Sequence, residues 1–157
     1  MSVLAKPYLH GQSYGERSAT EEIQMSASSE VVAEYIRAVG EGRFDRVASH
    51  LHPDVEFSSP GLATISGAES YLAALKRLSV IISRNDIHRI FVDGDEACII
   101  YDFVTDTPVG ALPSVEWIAL KDGKIKSVRL IFHSLEWPAV REEALRRAKA
   151  ATAGSAL

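Results

Sequence analysis

One carboxylate stands out for its neighbours. Glu116 lies between Val115 and Trp117 in an otherwise apolar run, where it must be solvated, paired or protonated, because burying an unpaired charge is costly. On a solvent-facing strand it is an ordinary surface acid; on an interior face, desolvation raises its pKa into the range of proton-transfer chemistry. Asp102 has the same two readings, with an ion pair to Arg129 as its structural use. His50 and His52, two residues apart at a helix end, point in different directions. His88 and His133 have no Cys or His at ligand spacing, so no metal is expected. Gly11-Gln12-Ser13-Tyr14-Gly15 matches Gly-x-Ser-x-Gly, but no strand precedes it and no helix pattern follows, so the match reads as chance. No phosphate-binding glycine loop occurs, and no cofactor is expected.

These residues need elements to position them. Residues 1–27 show neither helical nor strand periodicity and read as a flexible N-terminal arm, with Met25 as an alternative natural start. Ser28 or Ser29 caps a first helix with Val31, Val32, Tyr35, Ile36 and Val39 on one stripe, closed by Gly40 and Gly42. Asp45 caps a short second helix with Val47, Ala48 and Leu51 inward, halted by Pro53. Val55, Phe57 and Ser59 alternate as a strand ended by Pro60-Gly61. Ser66 and Glu69 form a capping box for a third helix with Leu72, Leu75, Leu78 and Ile82 inward.

The second half changes character. Residues 87–92, 97–105, 115–120 and 125–132 are rich in Ile, Val and aromatics and read as strands. Asp93-Gly94 and Asp122-Gly123 are two-residue hairpin signals, which make the strands antiparallel. A last helix spans 139–149, and 151–157 reads as a disordered tail. The order defines an α+β domain over 28–150: a strongly curved antiparallel sheet, three helices covering its concave face, and a C-terminal helix. Such a cone encloses a pocket.

Composition narrows the function classes. At 157 residues with 46% hydrophobic content, one domain can bury roughly 70% of its unfolded surface. A single cysteine, Cys98, excludes a disulfide scaffold. The absence of an apolar span or leader pattern gives a cytoplasmic expectation with no membrane partner. A net charge of -4, with scattered Lys and Arg, offers no footprint for nucleic acid.

Two stretches carry a family resemblance. Residues 35–44 (Tyr-Ile-Arg-Ala-Val-Gly-Glu-Gly-Arg-Phe), running on to His52-Pro53-Asp54-Val55, and Lys121-Asp122-Gly123-Lys124-Ile125 resemble the nuclear transport factor 2-like superfamily, in its SnoaL-like and ketosteroid isomerase-like branch. The resemblance implies a cone-shaped α+β barrel, a mainly apolar pocket and a homodimer through the outer sheet face. It also implies catalytic roles for Tyr35 and Glu116 as hydrogen-bond donors to a developing enolate, an arrangement for which ketosteroid isomerase is a general worked example. The family's general base, an Asp before a Pro, is replaced here by Ser59 before Pro60. The epoxide hydrolase variant lacks its Asp-Arg-Asp set, since Arg129 is followed by Leu130 and residues 99–103 hold no Arg.

Alternation along strands then selects the pocket. The resemblance places Leu130 and Phe132 at pocket positions, which brings Val128 with them and sends Arg129, Ile131 and His133 outward. It turns Ile99, Tyr101, Phe103 and Thr105 inward and Asp102 outward. The expected substrate-binding residues are Phe57, Ser59, Leu72, Tyr101, Phe103, Ile118, Leu130 and Phe132, around catalytic Tyr35 and Glu116. The expected function is a small-molecule pocket protein, as a cofactor-independent isomerase or cyclase acting on an apolar carbonyl compound. The alternative is a non-catalytic ligand-binding or dimeric interaction module. Two or more convergent ionisable groups in the pocket would favour catalysis.

Overall fold

The computed structural model describes residues 18–154. Helix α1 spans Ala19–Gly40, α2 Phe44–His50, β1 Leu51–Ser59, β2 Ala63–Ser66 and α3 Ala68–Leu78. Strands β3 Ile82–Asp93, β4 Glu96–Thr105, β5 Ala111–Lys121 and β6 Lys124–Phe132 follow. A 3-10 turn, Ser134–Glu136, leads into α4, Trp137–Gly154. The described residues form one curved six-stranded sheet in the order β2-β1-β6-β5-β4-β3, open at β2 and β3. The α+β cone expected from the pattern is therefore present, without the closed barrel. β3 to β6 form an antiparallel meander, and β1 joins it parallel to β6.

Helix α1 begins at Ala19, well before the cap expected at Ser28 or Ser29. Ser18 and Glu21 form a reciprocal capping box. The first turn is exposed, so it carries no apolar stripe to read, and Ser28 is buried within the helix. Part of the expected arm is thus helix that runs through Met25, while residues 1–17, with the Gly-x-Ser-x-Gly match, lie outside the described residues. The Ser66–Glu69 capping box is not formed: Ser66 ends β2 opposite Glu56 and donates to its carboxylate at 2.7 Å, and Gly67 at φ 87° precedes α3. β2 itself has too short an alternation to be read. Leu51 opens β1 instead of facing inward from α2, and Ile82 opens β3 instead of continuing α3. The β3–β4 loop is Gly94-Asp95, one residue later than expected. The β5–β6 loop is Asp122-Gly123, both with positive φ, the type I′ geometry. α4 runs through residues 151–154, which the sequence assigns to a tail.

α1 lies across the concave face with Val32, Tyr35, Ile36 and Val39 in the core. Its end packs so tightly on β3 that a Cβ on Gly40 would sit 2.5 Å from the Asn85 backbone nitrogen. Asn85 Nδ2 donates to the Ile36 carbonyl at 2.9 Å in the same contact. These two features fix the height of Tyr35 above the sheet. α4 packs through Val140 and Ala144 against Ile81 and Leu112. Arg147 ties it down, bonding Asp106 at 2.7 Å and the Val80 carbonyl at 3.1 Å.

Candidate active site

The pleat of β5 sends Leu112, Ser114, Glu116 and Ile118 to the concave side, all buried. Glu116 is only 4% exposed. Its Oε1 accepts from the Tyr101 hydroxyl at 2.8 Å. Tyr101 stands opposite Ser114 in the ladder, so the contact is a diagonal cross-strand pair. Glu116 Oε2 is buried without a partner among the described residues. Burial pushes the Glu116 carboxyl from 4.5 up to about 7, against the opposing pull of the Tyr101 bond. Near neutral pH this group is divided between acid and carboxylate.

Tyr35 comes from the apolar stripe of α1 and meets Tyr71 of α3, hydroxyl to hydroxyl, at 2.5 Å. Tyr71 is stacked on Phe57 with ring centroids 5.0 Å apart. The sequence reading missed Tyr71, favouring its neighbour Leu72 as the inward residue. The signal was available, since Tyr71 precedes Leu75 by one helical turn and shares its buried face. Burial first, and then the Glu116 charge, holds the Tyr35, Tyr71 and Tyr101 phenols well above their usual pKa. All three are neutral hydrogen-bond donors at physiological pH.

These groups border one cavity of about 430 Å³, within the range of about 300–1,000 Å³ typical of ligand sites. Of the residues expected around it, Tyr35, Phe57, Tyr101, Phe103, Glu116, Leu130 and Phe132 line it. Leu72, Ile118 and Ser59 do not. Ile118 is fully buried in the core below, Leu72 packs half-buried against it, and Ser59 is buried with an unpartnered hydroxyl outside the lining. Alternation holds elsewhere: Val128 is buried, while Arg129, Ile131 and His133 are exposed. Asp102 faces outward as expected, but its partner is His88 Nε2 at 2.9 Å and not Arg129. Arg129 lies opposite Trp117, four residues along β5 from Pro113, the β5 partner of Asp102.

His50 Nε2 is buried without a partner, and His52 Nδ1 accepts from the Asp54 amide. Among the described residues no group of three or more His, Cys, Asp or Glu could hold a metal ion. Nor is any described helix long and apolar enough to cross a membrane.

An open curved sheet with helices packed into its hollow is the architecture of the nuclear transport factor 2-like class. Within that class, a family model described as a SnoaL-like domain matches residues 32–128, and the chain belongs to this family. No match is found among curated proteins. Among solved structures, a protein from Kribbella flavida DSM 17836 is 26% identical, covering 75% of this chain and 96% of that one, with a TM-score of 0.67. A steroid delta-isomerase from Pseudomonas aeruginosa is 20% identical, covering 82% and 96%, with a TM-score of 0.64. An epoxide hydrolase of LEH-like type from M. tuberculosis is 19% identical, covering 80% and 97%, also at 0.64. The last two likenesses are likenesses of fold.

Proposed function

We propose that this chain is a cofactor-independent enzyme that moves a proton on an apolar carbonyl compound, as an isomerase or cyclase. The observation that carries the reading is Glu116: a buried carboxyl near pH 7 with one oxygen unpartnered, on the wall of a mainly apolar cavity. As carboxylate, Glu116 takes a proton from the carbon next to the carbonyl. The C–H electron pair moves into the enolate, and the proton returns to another carbon or to the same one. Tyr35 and Tyr71 share one hydroxyl proton between them, which leaves one O–H of the pair to donate to the enolate oxygen. Tyr101 holds Glu116 through the other carboxyl oxygen. Ser59 takes no part. The role that an Asp before Pro plays in ketosteroid isomerases passes to Glu116, and the convergence of an acid with three phenols favours catalysis over passive binding.

The test is exchange of the α-hydrogens of 2-tetralone with deuterated water. The protein should accelerate it, and Glu116→Gln should slow it by about 100-fold or more. Tyr35→Phe should slow it less. Exchange unaffected by Glu116→Gln would overturn the assignment.

A second copy of the chain is the proposed partner, across the outer sheet face. Phe91, Ile100, Trp117 and Ile131 are exposed there. The ladder sets Cys98 beside Phe91 and Trp117, and Val115 beside Ile100 and Ile131. This makes one apolar patch of the kind that isologous dimers cover. Sedimentation should show a dimer that Trp117→Asp dissociates; a monomeric parent protein would overturn the proposal.

A further inference from the structure

The cavity differs from end to end. Its inner part is closed by buried Glu116 and the three phenols, whereas its lining also includes exposed Arg77 of α3 and Arg141, Leu145 and Ala148 of α4. Neither Arg77 nor Arg141 has a hydrogen-bond or ion-pair partner among the described residues. The nearby Arg146 and Arg147 are both engaged, with Glu143 and, for Arg147, Asp106. Arg141 stands one turn after Trp137, on the same face of α4. The Trp137 indole Nε1 is a buried donor without a partner, and its ring lines the same cavity.

Helix stability does not account for Arg141. Arg141 is the fifth residue of α4, beyond the first turn where the macrodipole acts, and it makes no ion pair among the described residues. Arg77 by contrast suits the last turn of α3, but it too borders the apolar cavity. Two unpaired guanidinium groups and an orphaned indole N–H therefore border the same cavity, where they offer donors only. Their complement is an acceptor-only anionic group.

We propose that the ligand is an anionic amphiphile: an apolar carbonyl compound whose carboxylate or phosphate is held at the mouth by Arg77 and Arg141 while its carbonyl reaches Glu116 and the tyrosines. This inference rests on the proton-transfer reading for the inner end and adds the charge at the outer end. A neutral ring compound would fill the apolar wall and leave both guanidinium groups without a counter-charge. The anion also fixes direction, because it can enter only head-outward, which presents the opposite end to Glu116.

The test uses two probes with one skeleton, 8-anilino-1-naphthalenesulfonate and the uncharged N-phenyl-1-naphthylamine. A Trp117→Phe background leaves Trp137 as the only tryptophan, so quenching of its fluorescence reports occupancy of the cavity. The sulfonate should bind at least about tenfold tighter than the neutral probe. The double substitution Arg77→Gln with Arg141→Gln should remove that preference while changing the neutral probe's affinity less than about twofold. Added salt should weaken sulfonate binding alone. Both arginines are exposed, so an unchanged Tm should accompany the substitutions. Equal affinities, a preference that survives the double substitution, or quenching by neither probe would overturn the proposal. Glu116→Gln effects on 2-tetralone exchange are independent of these outcomes, so the two readings fail separately. Carboxylate and phosphate are then distinguished by competition with dodecanoate and dodecyl phosphate.

Discussion

The two faces of β5 invert the ordinary rule of burial. Glu116 is 4% exposed on the concave side, whereas its neighbour Trp117 is 50% exposed on the convex side. A chain optimised only for stability would place them the other way round. The inner face leaves an acid desolvated at the wall of a cavity, and the outer face leaves an indole exposed within an apolar surface. The difference teaches that the pleat gives adjacent residues of one strand opposite environments, which the proposed chemical role of Glu116 and the proposed dimer face each require.

That contrast can be tested by substitutions paired across the sheet. Ile118→Ala, in the fully buried layer beneath the cavity, should cost about 2–5 kcal/mol whatever the protein concentration. Ile131→Ala on the outer face should change the dilute protein by no more than about 0.5 kcal/mol. Urea unfolding at two protein concentrations separates these cases, and equal losses would erase the distinction between the faces.

The next effect is in pH. Glu116 binds its proton more tightly folded, at about 7, than unfolded, at 4.5. Its contribution is fully present below pH 4.5 and is lost as pH rises through 7, amounting to about 3 kcal/mol. Glu116→Gln should therefore remove a downward slope of stability with pH across this window, seen as a gain over the parent protein at pH 8. An unchanged slope would mean that Glu116 is better solvated than its surroundings imply. Smallest is Tyr71→Phe, which removes one hydroxyl of the buried pair and should cost about 1 kcal/mol. It should also slow exchange of 2-tetralone by leaving Tyr35 unsupported.

The interior sides of β4 and β6 were legible because alternation fixes a face once one residue of the strand is placed. The family resemblance places Leu130 and Phe132 on the pocket side of β6, and the same placement on β4 turns Tyr101 and Phe103 inward and Asp102 outward. Tyr71 was not legible as a partner of Tyr35: contact between two helices depends on how each crosses the sheet, which local spacing does not encode. The early start of α1 was hidden for a different reason. Its first turn is held by the Ser18–Glu21 box and buries nothing, so the hydrophobic pattern is silent there. The Ser66–Glu69 motif misled because β2 had a prior use for Ser66, opposite Glu56. Arg77 and Arg141 carry no motif in the sequence; they acquire a common setting only because α3 and α4 border one hollow.

The parallel seam between β1 and β6 has a consequence for how the chain is made. The meander from β3 to β5 can assemble from neighbouring segments, but the hairpin of β1 and β2 has no place in the sheet until β6, some seventy residues later, has been synthesised. Contacts so distant along the chain are slow to form. Until the ribosome has delivered that final strand, the first one waits with its edge uncovered, and a nascent chain truncated before residue 124 would carry Tyr35, Tyr71, Tyr101 and Glu116 yet lack the wall that Leu130 and Phe132 complete.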